Sequence, residues 1–365
     1  METNYESMTV VQLKDYAKSR NIKIASGLKK AEVIQFIKAS LIEQASGITK
    51  KTDNTKVELS SLVPTYVNLQ PFANQEYPDW LCHLHQHGWS VAPIPDFDAS
   101  KYVDAFYSWL ESCGTNFNRS DKSTWEGKNI PSTFHGIIRN YIGHEDWIWE
   151  IRQKCKSIFS TIWQTEDLLC SFDGGCFLPP KPNATVFNEW FHCDQGHFCY
   201  DFACVQGVVN LLDNGKDDGG LILLQNSKNY FKSYLTRHPS EGIKYCHVDV
   251  TDDEMKGLTK MKICAPAGHI LLWDSRMVHC NVSPTGDKPR MCTYVSMAPR
   301  SGATTDMISK RIKAYEEGRM TNHWAYGPWM MVQAAELRTF GTYTAKPTEI
   351  KIAQLNDVQR SMVGY

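Results

Sequence analysis

The spacing of apolar positions changes along this chain. Over residues 8–41, Val10, Leu13 and Ala17, then Val33, Ile34, Ile37 and Leu41, recur at helical intervals and predict two short helices. Thr9 and Gln12 make a capping-box pair at the start of the first, and Gly27 falls in the turn between them. Residues 43–61 are polar and read as a linker. Helical patterns return at residues 80–87, 101–112 and 146–165. Short apolar strands then take over, broken by Gly, Pro, Asn and Asp, as at residues 201–212, 220–225, 268–273 and 290–297. Helices followed by strands argue against a parallel βαβ sheet. They predict a mainly β sandwich or barrel with flanking helices.

Length and composition fit this layout. The 365 residues have room for one large domain and a small one, and 42% hydrophobic with 22% charged residues is ordinary for a soluble globular protein. No apolar run approaches bilayer length and the N-terminus lacks a signal-like stretch, so the expectation is an intracellular protein, nuclear or cytoplasmic, without a membrane partner. Twelve scattered cysteines without a C-x-x-C pair read as reduced thiols, mostly core residues, with Cys204, Cys264 and Cys292 inside hydrophobic stretches.

The net charge of −1 hides an asymmetry. Residues 8–41 hold seven basic residues (Lys14, Lys18, Arg20, Lys23, Lys29, Lys30, Lys38) against Asp15 and Glu32, giving +5 there and −6 elsewhere. With Leu13, Gly27, Leu28, Lys30 and the apolar face of the second helix, residues 8–42 resemble a SAP module, a short helix-turn-helix of chromatin, repair and RNA-processing proteins. The resemblance implies DNA or RNA binding, with Lys29, Lys30 and Lys38 as salt-sensitive phosphate contacts. The alternative is a basic hairpin that contacts protein or only aids solubility.

The chemistry gathers in the β region. In Asn188-Glu189-Trp190-Phe191-His192-Cys193-Asp194-Gln195, positions i and i+2 of a strand share a face, so His192 and Asp194 can reach one metal. Gly268 to His279 reads as a strand, a turn and a histidine opening the next strand, which supplies the third ligand. Two neutral imidazoles and one carboxylate suit Fe(II) and leave positions for O2 and a cosubstrate. Arg290, eleven residues past His279, offers a guanidinium for the distal carboxylate of 2-oxoglutarate.

His192-x-Asp194, Asp218-Gly219-Gly220-Leu221-Ile222-Leu223-Leu224, residues 267–276, and His279 followed by Arg290 resemble the phytanoyl-CoA dioxygenase family of Fe(II)/2-oxoglutarate oxygenases, over residues 77–300. The resemblance assigns residues 62–365 to the oxygenase domain and implies a double-stranded β-helix, or jelly roll. It also implies oxidative decarboxylation of 2-oxoglutarate to succinate and CO2, coupled to hydroxylation of a C–H bond. The retained Asp194 favours hydroxylation, since related halogenases lose this carboxylate. Asn281, which shares a strand face with His279, and Gln206, where relatives often place a cosubstrate contact, are candidate 2-oxoglutarate ligands. Tyr294 shares a face with Arg290 and is a candidate to close the pocket. Relatives commonly read Gly-Ser-His where this chain has Gln225-Asn226-Ser227-Lys228, which puts substrate contacts there in doubt.

Other motifs read as structural. His83, His85 and His87 sit on a helix, where i and i+2 diverge, and His197 faces away from His192. Residues 319–324 read as part of a C-terminal helix covering the barrel, with a substrate lid as the alternative, and Phe172-Asp173-Gly174-Gly175 as a turn near the substrate mouth. The rival readings are a nucleic-acid-binding or scaffold protein with a non-catalytic jelly roll, and a barrel metal used without cosubstrate; the intact ligands and Arg290 argue against both. The hydroxylated substrate is not readable from the sequence.

Overall fold

In a computed structural model of the chain, Thr9 and Gln12 exchange bonds as the capping box requires. Thr9 N–H donates to Gln12 Oε1 at 2.8 Å and Gln12 N–H to Thr9 Oγ1 at 3.3 Å, opening helix α1 (Val10–Ser19). The structure describes residues 5–20, 22, 30, 33, 34, 37, 77–131, 133–138, 141–180, 190–196, 199–239, 246–333, 345–349 and 351–365. Gly27, Lys29, Lys38, Leu41, the linker 43–61 and His197 therefore lie outside the described residues. The chain divides into two units, Met1–Val57 and Glu58–Tyr365. In the first, Leu13 and Ala17 pack with Val33, Ile34 and Ile37, while Val10, expected inside, is half-exposed. Among the described residues, no helix is long and apolar enough to cross a membrane.

The second unit begins with α2 (Asp79–His87), β1 (Trp89–Pro93), α3 (Ala99–Glu111), β2 (Thr133–Phe134), β3 (Ile137–Ile138) and α4 (Asp146–Trp163). The strands β4 (Leu168–Cys170), β5 (Gly175–Leu178), β6 (His192–Cys193), β7 (Val205–Asn210) and β8 (Gly220–Leu224) follow. Next come α5 (Phe231–Arg237), β9 (Cys246–His247), β10 (Lys260–Ile263), β11 (His269–Asp274), β12 (His279–Val282) and β13 (Arg290–Pro299). Helices α6 (Thr305–Glu316) and α7 (Asp357–Val363) close the chain.

Two antiparallel sheets form the jelly roll. The larger runs β1-β11-β7-β13-β5-β3-β2, with β4 also pairing β13, and the smaller runs β10-β8-β12-β6-β9. Strand alternation decides which core each residue enters. On β13, Met291, Val295 and Met297 join the cluster formed with α3 and α4 on the outside of the large sheet. Cys292 and Tyr294 face inward with Val208, Leu221, Leu223, Leu271 and Trp273, joining the two sheets. The larger sheet is thus apolar on both faces, and its strands read as continuous hydrophobic runs.

Most cysteines are buried, though Cys264 is exposed, against the expectation from its hydrophobic neighbours. The covering helix expected at residues 319–324 is absent. Helix α6 ends before Gly318, whose φ of 63° favours glycine. The chain then forms an irregular loop closed by a Thr321–Val332 bridge. Asn322 pins that loop, accepting from Met331 N–H at 2.9 Å and donating to Trp329 O at 3.0 Å.

Candidate functional site

His192 on β6 and His279 on β12 are direct cross-strand partners, which sets their ring centroids 4.3 Å apart. Asp194 falls just past the end of β6, and its carboxylate spans both rings. Oδ1 lies 3.5 Å from His192 Nε2 and Oδ2 lies 3.4 Å from His279 Nε2. One ligand atom from each of the three residues lies within 4.8 Å of the others.

The backbone chooses the tautomer of each imidazole. His192 Nδ1 sits 3.1 Å from Trp190 O and His279 Nδ1 3.0 Å from Met277 O. A carbonyl only accepts, so Nδ1 carries the proton and the Nε2 lone pair is turned toward Asp194. Burial, followed by the neighbouring His279 charge, pulls His192 below its ordinary pKa. Burial alone would raise Asp194, but whenever His192 and His279 are protonated their Nε2–H bonds and charge hold it well below the usual carboxylate range. Neutral imidazole and ionised carboxylate are the forms that ligate a metal. The donor set fits Fe(II), with coordination positions left over.

Support comes from both sheets. Gln206 on β7, the register partner of Trp273 on β11, donates from Nε2 to Asp194 Oδ2 at 2.9 Å. The sequence suggested a cosubstrate contact there; the geometry instead puts Gln206 behind a metal ligand. The Trp273 ring lies 5.2 Å from that of His279, and Trp190 stacks on His192 at 4.4 Å. Arg290, at the start of β13, is buried, and its Nε and Nη1 find no acceptor among the described residues. A buried cation with unused donors calls for an anion. Tyr294, four residues along, meets Asn281 Nδ2 through its hydroxyl at 3.4 Å. That contact links the strand of Arg290 to the strand of His279. Tyr294 and Asn281 thus touch each other at the junction of the sheets.

A cavity of ≈ 240 Å³ opens on His192 and Asp194, lined also by Phe134, Ile137, Trp190, Asp173, Asn322, His323 and Met331. The sequence placed the Phe172–Gly175 turn near the substrate mouth, and Asp173 and Gly174 do line the cavity, but it gave Asp173 and His323 no individual role. They sit on the β4–β5 turn and the irregular 319–332 loop, where no periodic pattern marks them. Gly174 is required beside Asp173, because a Cβ there would run into Ile138 O. Residues 225–228 do not line the cavity; Ser227 Oγ accepts from Val278 N–H at 2.9 Å and Lys228 Nζ donates to His85 O at 3.1 Å. His83 Nδ1 is taken by Trp89 O at 2.7 Å, consistent with a structural role. Lys30 is helical and exposed in the N-terminal unit.

Comparison with known proteins gives a family match at the N-terminus and relatives for the rest. The family described as Rho termination factor, N-terminal domain, matches residues 4–46, so the family matched over residues 8–42 is this one and not the SAP module that the sequence resembled. Ava biosynthesis cluster protein O of Aspergillus versicolor is 29% identical over 293 residues, covering 75% of this chain and 94% of that protein. A putative phytanoyl-CoA dioxygenase of Dictyostelium discoideum is 23% identical over 252 residues, covering 57% of this chain and 71% of that protein. Among solved structures, the epimerase SnoN in complex with Fe3+, alpha-ketoglutarate and nogalamycin RO is 11% identical with a TM-score of 0.45, covering 76% of this chain and 95% of that one.

Proposed function

We propose that the second unit is an Fe(II)- and 2-oxoglutarate-dependent oxygenase that hydroxylates a small molecule. The observation that carries this reading is the clustering of His192, Asp194 and His279 with Nε2 and carboxylate oxygens converging, in a jelly roll that also buries an anion-seeking Arg290. The name of the Dictyostelium relative supports it. Iron bound by the three ligands supplies O2 activation coupled to decarboxylation of 2-oxoglutarate. The chain's own residues do the rest. Arg290 takes the distal carboxylate of the cosubstrate, Asn281 and Tyr294 border it, and Gln206 fixes the Asp194 carboxylate.

The test is iron content by colorimetry after anaerobic purification, together with succinate release from 2-oxoglutarate under air. Wild type should hold about one iron per chain at this open three-ligand site and release succinate slowly without substrate; Asp194→Ala should do neither. Iron-free protein, or succinate release that survives Asp194→Ala, refutes the reading and leaves a non-catalytic jelly roll.

For the N-terminal unit we infer nucleic-acid contact, supported by the +5 charge of residues 8–41 and the match at residues 4–46. Removal of residues 1–57 should abolish salt-dependent binding to duplex DNA or RNA and leave succinate release unchanged. Full-length protein with no such affinity makes the unit a protein-contact hairpin.

A further inference from the structure

Asp173 is a buried carboxylate in the cavity wall, and the fold braces it from several sides. Ser171 Oγ accepts from Ser296 N–H at 3.0 Å and so turns its proton to Asp173 Oδ2 at 2.9 Å. His323 Nδ1 lies 3.3 Å from the same oxygen. The backbone beneath is tied to the 319–332 loop, with Phe172 N–H on Thr321 Oγ1 at 2.8 Å and Thr321 N–H on Phe172 O at 3.1 Å. Two fully buried arginines hold the turn by its carbonyls: Arg152 Nη2 donates to Asp173 O and Arg311 Nη2 to Cys170 O, each at 2.7 Å.

Nothing in the metal chemistry uses this carboxylate. Keeping one buried is costly, and a turn needs only backbone bonds. The other lining residues sharpen the point. Phe134, Ile137, Trp190 and Met331 make an apolar wall, and no Lys or Arg lines the cavity among the described residues. Besides the metal ligands, the ionisable wall residues are Asp173, His247 and His323, so a substrate carboxylate or phosphate set against Asp173 would meet no Lys or Arg to offset the repulsion, whereas a hydroxyl or amine would find an acceptor already oriented.

We propose that Asp173, braced by Ser171 and His323, anchors the substrate, and that it selects a neutral or basic small molecule carrying an apolar or aromatic body and an O–H or N–H donor. This rests on reading the cavity as the site of oxidation. Asp173 fixes one end of the molecule and thereby chooses which C–H faces the metal.

The test measures binding rather than turnover. Phenethylamine, 2-phenylethanol and 3-phenylpropionate, matched in body and differing in head group, are titrated against the full chain by ligand-observed NMR. Wild type should bind the amine and alcohol about tenfold or more tightly than the carboxylate, the size expected of a hydrogen bond to a charged group. Asp173→Asn should erase the preference for the amine. With Mn(II) added, the amine's protons should broaden, which places it beside the metal ligands. Equal binding of 3-phenylpropionate by wild type overturns the proposal and requires no variant, as does an unchanged preference in Asp173→Asn. A protein that discriminates the probes yet takes no iron would sink the oxygenase reading while leaving the anchor in place.

Discussion

Replacing Gln206 by Leu separates two readings of one residue. Position alone made Gln206 a cosubstrate contact; the geometry makes it the donor that holds Asp194 Oδ2 at 2.9 Å. Its Oε1 is buried without a partner among the described residues, so Leu removes an orphaned acceptor along with the useful donor. Loss of the donor costs about 1.5–3 kcal/mol, the usual worth of a hydrogen bond to a charged group. Loss of the orphan returns part of that to the fold, and the thermal midpoint of the metal-free protein should move by no more than a few degrees. The full cost falls on Fe(II) binding, which should weaken roughly 10–100-fold, as loss of an outer contact to a metal ligand does. The assay is an anaerobic Fe(II) titration of wild type and Gln206→Leu, followed by 2-oxoglutarate titration at saturating iron. The second curve should be unchanged. Unaltered iron affinity with a raised 2-oxoglutarate requirement would refute the reasoning and restore the cosubstrate role.

Arg290→Ala should behave in the opposite way: half-saturation by 2-oxoglutarate rises on the order of a hundredfold, from about 2–5 kcal/mol for truncating a buried charged pair, with iron affinity little changed; an unmoved half-saturation point would mean that another group holds the carboxylate. His144 sets an acid limit on stability. Burial, assisted by Arg152 and opposed by the bond to Arg319 O, depresses its pKa from 6.5 to about 4. An unfolded chain takes up this proton near the ordinary value and the folded one resists until about 4, so the contribution is complete above the unfolded pKa and is lost as pH falls between the two. It amounts to about 3 kcal/mol overall, and urea unfolding of wild type and His144→Gln should converge from pH 7 to pH 4; parallel curves would contradict it.

What was legible in the sequence follows from periodicity. His192-x-Asp194 shows itself because the two-residue period of a strand would put both side chains on one face, although β6 ends at Cys193 and Asp194 reaches the same site from just beyond it. His279 and Arg290 open strands that turn residues announce. The long apolar strands and helices α2, α3 and α4 are visible for the same reason, since each buries a continuous face. Gln206 was singled out only because relatives often place a cosubstrate contact on that strand. Its partner depends on how β7, β11, β12 and β6 are arranged across two sheets, which no local pattern encodes. Asp173 and His323 were harder still, coming from two turns 150 residues apart that meet through Phe172 and Thr321. Arg152 and Arg311, on helices α4 and α6, carry no sequence signal of their own. Their guanidiniums are buried over Trp149 and Phe172, at 4.4 and 4.7 Å from the ring centroids.

The division has a functional consequence. The metal ligands sit on β6, its end and β12, where cross-strand pairing fixes His192 against His279. The proposed substrate anchor sits on turns whose backbone is held by buried arginine donors and by Thr321. The two groups of residues share a cavity, but their bracing networks are distinct: Gln206, Trp190 and Trp273 serve the metal side, whereas Ser171, Arg152, Arg311 and Thr321 serve the anchor. Changes that redirect substrate choice can therefore accumulate around Asp173 and residues 319–332 without disturbing the ligands. Removing the Arg152 guanidinium would release the Asp173 carbonyl and the Gly143 carbonyl together, because it donates to both at 2.7 Å. Its loss should loosen the anchor's position before it touches the iron.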